Sequence, residues 1–79
     1  MNEEIHRLRV IEREADSLYD TWRKHLEHFG GRQDYWDRII KMADDFDRKH
    51  DSGLFRHYAG TVIAARVSAL EDEWRKMKR

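Results

Sequence analysis

Apolar residues recur every third or fourth position along most of this chain, and the recurrence breaks twice. In the first stretch Leu8, Ala15, Trp22 and Phe29 hold one position of a seven-residue repeat, and Ile11, Leu18 and His25 hold a second, three residues on. Ile5, Tyr19 and Leu26 widen the stripe. This spacing predicts a helix from Asn2 to Phe29 that buries one face against other helices. Its opposite face, with Arg9, Arg13, Asp16, Asp20, Arg23 and Glu27, stays in water. Gly30-Gly31 makes the first break, where glycine suits the left-handed conformation that closes many helices. Asp34 is placed as the N-cap of a second helix from Tyr35 to His50, with Trp36, Ile39, Ile40, Ala43, Phe46 and His50 as its buried stripe. Asp51-Ser52-Gly53 makes the second break. A third helix follows from Leu54 to Lys78. Its first half is apolar almost all round, through Phe55, Tyr58, Ala59, Val62, Ile63, Ala64, Ala65 and Val67. Its second half narrows to Ala69, Leu70, Trp74 and Met77. Gly60 inside this helix costs about 1 kcal/mol relative to alanine. It reads either as a close crossing against the first or second helix or as a tolerated residue.

Short connections make successive helices antiparallel. The expected fold is therefore all-α, a three-helix up-down-up bundle with long first and third helices, forming one domain over the whole chain. At about 1.5 Å per residue the three helices span roughly 42, 24 and 37 Å. The middle helix is too short to shield its neighbours. That leaves Ile5, Leu8 and Ile11 protruding at one end and Leu70, Trp74 and Met77 at the other. Each large apolar side chain left in water forgoes roughly 1.5–3 kcal/mol. A two-fold homodimer through these six residues is the expected remedy, with Trp74 as its anchor. A monomer with frayed ends, or a different partner protein, are the alternatives.

Composition narrows the functional classes. A chain of 79 residues supports only a modest core and is often marginal alone. It has no cysteine, so neither a disulfide nor a thiolate metal site is available. No run approaches the roughly 18 apolar residues of a membrane span. The acidic start Asn2-Glu3-Glu4 is unlike a signal peptide. The expectation is a cytoplasmic protein without membrane contact. Sixteen basic and sixteen acidic residues are mixed along the chain and sum to zero, which argues against gripping nucleic acid as the main task.

Each candidate chemistry has a plainer reading. His25 and His28, one helical turn apart, could meet Asp34 and Asp37 at a metal, yet the repeat puts one histidine in the stripe and the other on its flank. They are read as polar residues at the bundle end. His50-Asp51, with His57 nearby, has the dipeptide of metal-dependent helical phosphohydrolases but not their further ligands, and His50 suits the negative end of a helix dipole. Asp44-Asp45-Phe46-Asp47 lacks the alternating ligands and central glycine of a calcium loop. No phosphate-cradling loop or activated nucleophile is present, so no catalytic, cofactor or metal residue is assigned and an enzyme is not expected. Helices two and three could imitate a helix-turn-helix presenting Arg56, His57 and Arg66. Against that stand Asp51 in the turn and the aspartates of helix two. The basic tail Arg75, Lys76, Lys78 and Arg79 is what any helix C-terminus prefers. The leading reading is a non-catalytic module for protein–protein interaction or self-assembly; the runner-up is a small DNA-binding regulator.

The pattern Tyr35-Trp36 through Ala43-Asp44, then Phe55, Ala64-Ala65 and Leu70-Glu71, resembles small helical proteins of unknown function from bacterial phages and conjugative elements. The resemblance leaves the first helix unmatched and consists mostly of core periodicity. It implies an accessory role on a mobile element and carries no functional residue with it.

Overall fold

The two breaks in the apolar pattern are the two places where the chain turns. The structure, a computed structural model, describes residues 2–78. Helix α1 spans Asn2–Phe29, α2 spans Gln33–His50 and α3 spans Tyr58–Met77, with one 3-10 turn over Gly53–Phe55 before α3. No strand occurs among the described residues. Arg79 and the side chain of Leu54, both named above, lie outside the described residues. Trp22 Nε1 reaches Met42 Sδ, and Lys49 Nζ reaches Glu14 Oε1, so α2 runs back along α1. Arg66 pairs with Asp16 and Arg23 with Glu73, so α3 runs parallel to α1. The result is an up-down-up rod of 45 × 18 × 15 Å.

Packing is uneven. Both α1 and α2 lie closely along α3 and approach each other far less. The sequence explains why α3 is the hub. It alone is apolar over a wide arc, and it buries Ala59, Val62, Ile63, Val67 and Leu70. From α1 come Ile11, Ala15, Trp22 and Leu26; from α2 come Ile39 and Phe46; Phe55 joins from the 3-10 turn. The expected α1 stripe is followed only in part, because Phe29 is 40% exposed and His25 is exposed while Leu26 is fully buried. A straight helix drifts about 20° per heptad against a seven-residue repeat, so the buried line moves from Ile11 and Ala15 to Trp22 and Leu26. Ile40 departs from expectation most, at 56% exposed. α2 turns one narrow line, Ile39, Phe46 and His50, to the core, and Ile40 lies about 100° round from it. Ala64 and Ala65 are also exposed.

Both turns close differently from expectation. The only positive φ values among the described residues are at Gly53 (58°) and His57 (73°), so Gly30 and Gly31 do not use the left-handed region. Gly30 is needed for its missing side chain, since the Trp74 ring lies on it. α2 begins at Gln33, with Arg32 in the N-cap position and no side-chain cap. Asp34 falls inside the first turn, where it accepts two hydrogen bonds from the Arg32 guanidinium at 3.2 Å and complements the helix dipole. α3 begins at Tyr58 rather than Leu54 because His57 is left-handed and cannot continue a helix. A non-glycine residue pays roughly 1–2 kcal/mol there. His57→Gly is therefore expected to stabilise the chain by about 1 kcal/mol, read as a higher urea midpoint. An unchanged midpoint would show that His57 is not strained. Gly60 marks a close crossing with α2, since a Cβ there would stand 2.8 Å from Asp47 Oδ1.

The rod corrects the argument from unequal helix lengths. Ile11 and Leu70 are fully buried within one chain, and Leu8 and Trp74 are half-buried against the same core. Of the six expected interface residues, only Ile5, 48% exposed, and Met77, 39% exposed, keep large free surfaces. The connector supplies the shielding that the short α2 lacks. It carries Phe55 onto the start of α1, under the Arg7 guanidinium at 5.1 Å. At the other end α3 stops beside the α1–α2 turn, which receives Trp74.

Candidate functional site

Polar side chains first fix how the helices meet. His50 is buried, stacks edge-on against Phe46 and donates from Nε2 to Glu14 Oε2 at 2.8 Å. Lys49 Nζ holds the other Glu14 oxygen at 3.0 Å. The hydrogen bond from His50, with the hydrogen bond and charge of Lys49, keeps the Glu14 carboxyl below its usual range against the opposing effect of burial. A carboxyl lowered in this way contributes stability above its ordinary pKa of about 4.3, and that contribution is lost as the pH falls through the lowered value. Glu14→Gln should thus lower stability at neutral pH and flatten its decline below about pH 5. Urea midpoints measured against pH test this, and parallel curves for the two chains would count against the linkage.

A second cluster joins α1 to α3. The Tyr58 hydroxyl donates to Glu12, and Arg66 bridges Glu12 Oε2 at 3.3 Å and Asp16 Oδ1 at 2.8 Å. The bond to Glu12, then burial, holds the Tyr58 phenol above its usual range. Arg66, partly exposed, is thereby tied to two carboxylates of α1. The link from Asp51 to His57, with its 3-10 turn, is also longer than a helix-turn-helix corner.

The proposed ligand sets do not assemble. Asp34 is engaged by Arg32, and Asp37 accepts from Gln33 Nε2 at 3.0 Å. No group of three metal-capable side chains forms among the described residues, so His25, His28, Asp34 and Asp37 are not brought together. The six expected interface residues are also dispersed. Ile11 and Leu70 are interior, Leu8 and Trp74 line the core, and exposed Ile5 and Met77 stand at opposite ends of the rod. No helix of the described residues is long and apolar enough to cross a membrane.

What the fold does expose is the seam between α1 and α2. Because these two helices separate above α3, a groove of about 470 Å³ opens over Trp22, Ile39 and Met42, between walls made by His25, Phe29 and Tyr35. Its rim carries Arg32, Asp34 and Arg38. A second hollow of about 410 Å³ continues it past Met42 to Leu18 and Phe46, with Glu14, Asp45 and Lys49 on the rim. The polar tips on the floor are already occupied. Trp22 Nε1 faces Met42 Sδ at 3.5 Å, and the Tyr35 hydroxyl donates to the Trp22 carbonyl at 2.5 Å. Burial raises the Tyr35 phenol. The trough thus lies over Trp22 and Ile39, both almost wholly buried, with exposed Phe29 and half-buried Tyr35 and Met42 offering apolar surface and charges at its edges.

The apolar pattern alone does not reveal this trough, because Arg38, Asp45 and Lys49 are polar and their side of α2 reads as solvent-facing. A signal was present: Tyr35, Arg38, Met42, Asp45 and Lys49 follow each other at spacings of three and four, a second heptad line on α2 beside the core line. Trp36, whose indole N–H donates to the Gly30 carbonyl at 2.7 Å, helps hold the turn that sets the angle of the seam. Neither protein-family models, curated proteins nor solved structures provide a match to this chain.

Proposed function

We propose that this chain is a non-catalytic protein-binding module that takes an amphipathic helix into the open seam between α1 and α2. The observation that carries the reading is the two-helix trough floored by Trp22, Ile39 and Met42. Two helices splayed over a third leave the place of a fourth, and a helix laid there would complete a four-helix bundle. The accessible parts of Phe29, Tyr35 and Met42 suit an apolar anchor on the incoming helix, and the charged edges set its register.

Selection of helical peptides from a random amphipathic library tests the proposal. Wild-type protein should enrich sequences with apolar residues at helical spacing. Thr21→Arg, which places a long cation on the trough wall at an exposed position, should abolish their binding while leaving helicity intact. Peptides that bind both chains equally would sink the reading.

A further inference from the structure

The charges along the seam are arranged so that the trough is complementary to itself. On α2 the seam-facing residues are centred on Met42, with Arg38 one turn to one side and Asp45 one turn to the other. Farther out, Asp34 lies toward one end and Lys49 toward the other. Turning the seam end over end about Met42 brings Arg38 to the level of Asp45, and the Arg32–Asp34 pair to the level of the Lys49–Glu14 pair, each of these pairs being closed within its own chain. The sign of the rim thus reverses through its middle, and the apolar floor lies at the centre.

We infer that the occupant of the seam is a second copy of this chain, docked antiparallel about a two-fold axis at Met42. The inference rests on the helix-accepting reading above and names its partner. In the dimer α1 and α2 of each copy pack on their counterparts, so each copy supplies the missing helices of the other.

Charge reversal with remixing gives the test. Arg38→Glu and Asp45→Arg are made separately, both at exposed positions. In a homodimer of either variant, two attractive contacts become repulsive. In a one-to-one mixture, the heterodimer restores both. Sedimentation equilibrium of wild type should show a monomer–dimer equilibrium. Each variant alone should dissociate about tenfold more readily, and the mixture should recover to near the wild-type value. Circular dichroism confirms that each variant keeps its helix content. A wild-type chain that stays monomeric at millimolar concentration overturns the second copy, as does a mixture no tighter than its components. Helix-peptide selection that remains sensitive to Thr21→Arg in those cases leaves the seam a binding site for another chain. Insensitivity in that selection is the separate failure of the underlying reading.

Discussion

Gly30→Ala is expected to destabilise this protein by about 3 kcal/mol. A Cβ at Gly30 would stand 2.5 Å from Trp74 Cε3, 2.7 Å from Trp74 Cζ3 and 2.6 Å from the Leu26 carbonyl oxygen. The carbonyl belongs to the last buried turn of α1, where Gly30 N–H itself donates to it at 2.8 Å, so it cannot yield without opening the helix end. The indole is wedged between α3 and the turn and has nowhere to retreat except into water. Displacing it also loosens the carbonyl that accepts the Trp36 N–H. Gly31→Ala is the natural control. Its nearest atom would be Trp74 Cζ2 at 3.9 Å, ordinary contact, and its φ is not positive. That change should move stability by no more than about 0.5 kcal/mol. Urea unfolding of the two variants, with equal slopes, separates them. Equal midpoints would remove Gly30 from its role as the seat of Trp74.

Leu70→Ala is the second large effect, at about 3–4 kcal/mol. Leu70 is fully buried, among the largest side chains with no surface at all, and it sits where α3 approaches the end of α1. Truncation removes the transfer energy of its methyl groups and leaves a void that three rigid helices cannot close. For a domain of this length that loss lowers the melting temperature by on the order of 15–20 °C. Met77→Ala, one helical stretch onward and 39% exposed, should change stability by about 0.5 kcal/mol or less. Were Leu70 an exposed interface contact, as unequal helix lengths first implied, the two substitutions would be alike in a dilute monomer. Thermal unfolding at low concentration, where association does not contribute, tells these cases apart.

The bounds of α1 and the end of α2 could be read from the sequence because they depend on local patterning, whereas α2 and α3 start at Gln33 and Tyr58 rather than at Tyr35 and Leu54. The heptad of α1 and the apolar breadth of α3 both appear in the fold, and α1 ends where the repeat ends. The failures share a cause: they concern how elements meet. Helix lengths alone could not show that Phe55, in a short connector, would cover the beginning of α1. Gly30 looked like a residue of unusual φ, whereas its role depends on a tryptophan forty-four positions later in the sequence. The left-handed residues fell instead on Gly53 and His57, and at His57 no glycine marks the position. The seam was hidden for a related reason. Arg38 and Asp45 on α2 are polar, and polarity identifies a solvated face without distinguishing open surface from the rim of a trough.

The placement of the three indoles decides what an optical experiment on this protein sees. Trp22, Trp36 and Trp74 all belong to the half of the rod that contains the Gly30 turn, with Trp36 and Trp74 in direct contact with it. Tryptophan emission therefore watches that half alone, and fraying around the 3-10 turn and the first residues of α1 would leave it unchanged. Agreement between fluorescence and far-ultraviolet dichroism during denaturation is thus a stringent check that the two halves of the molecule melt together.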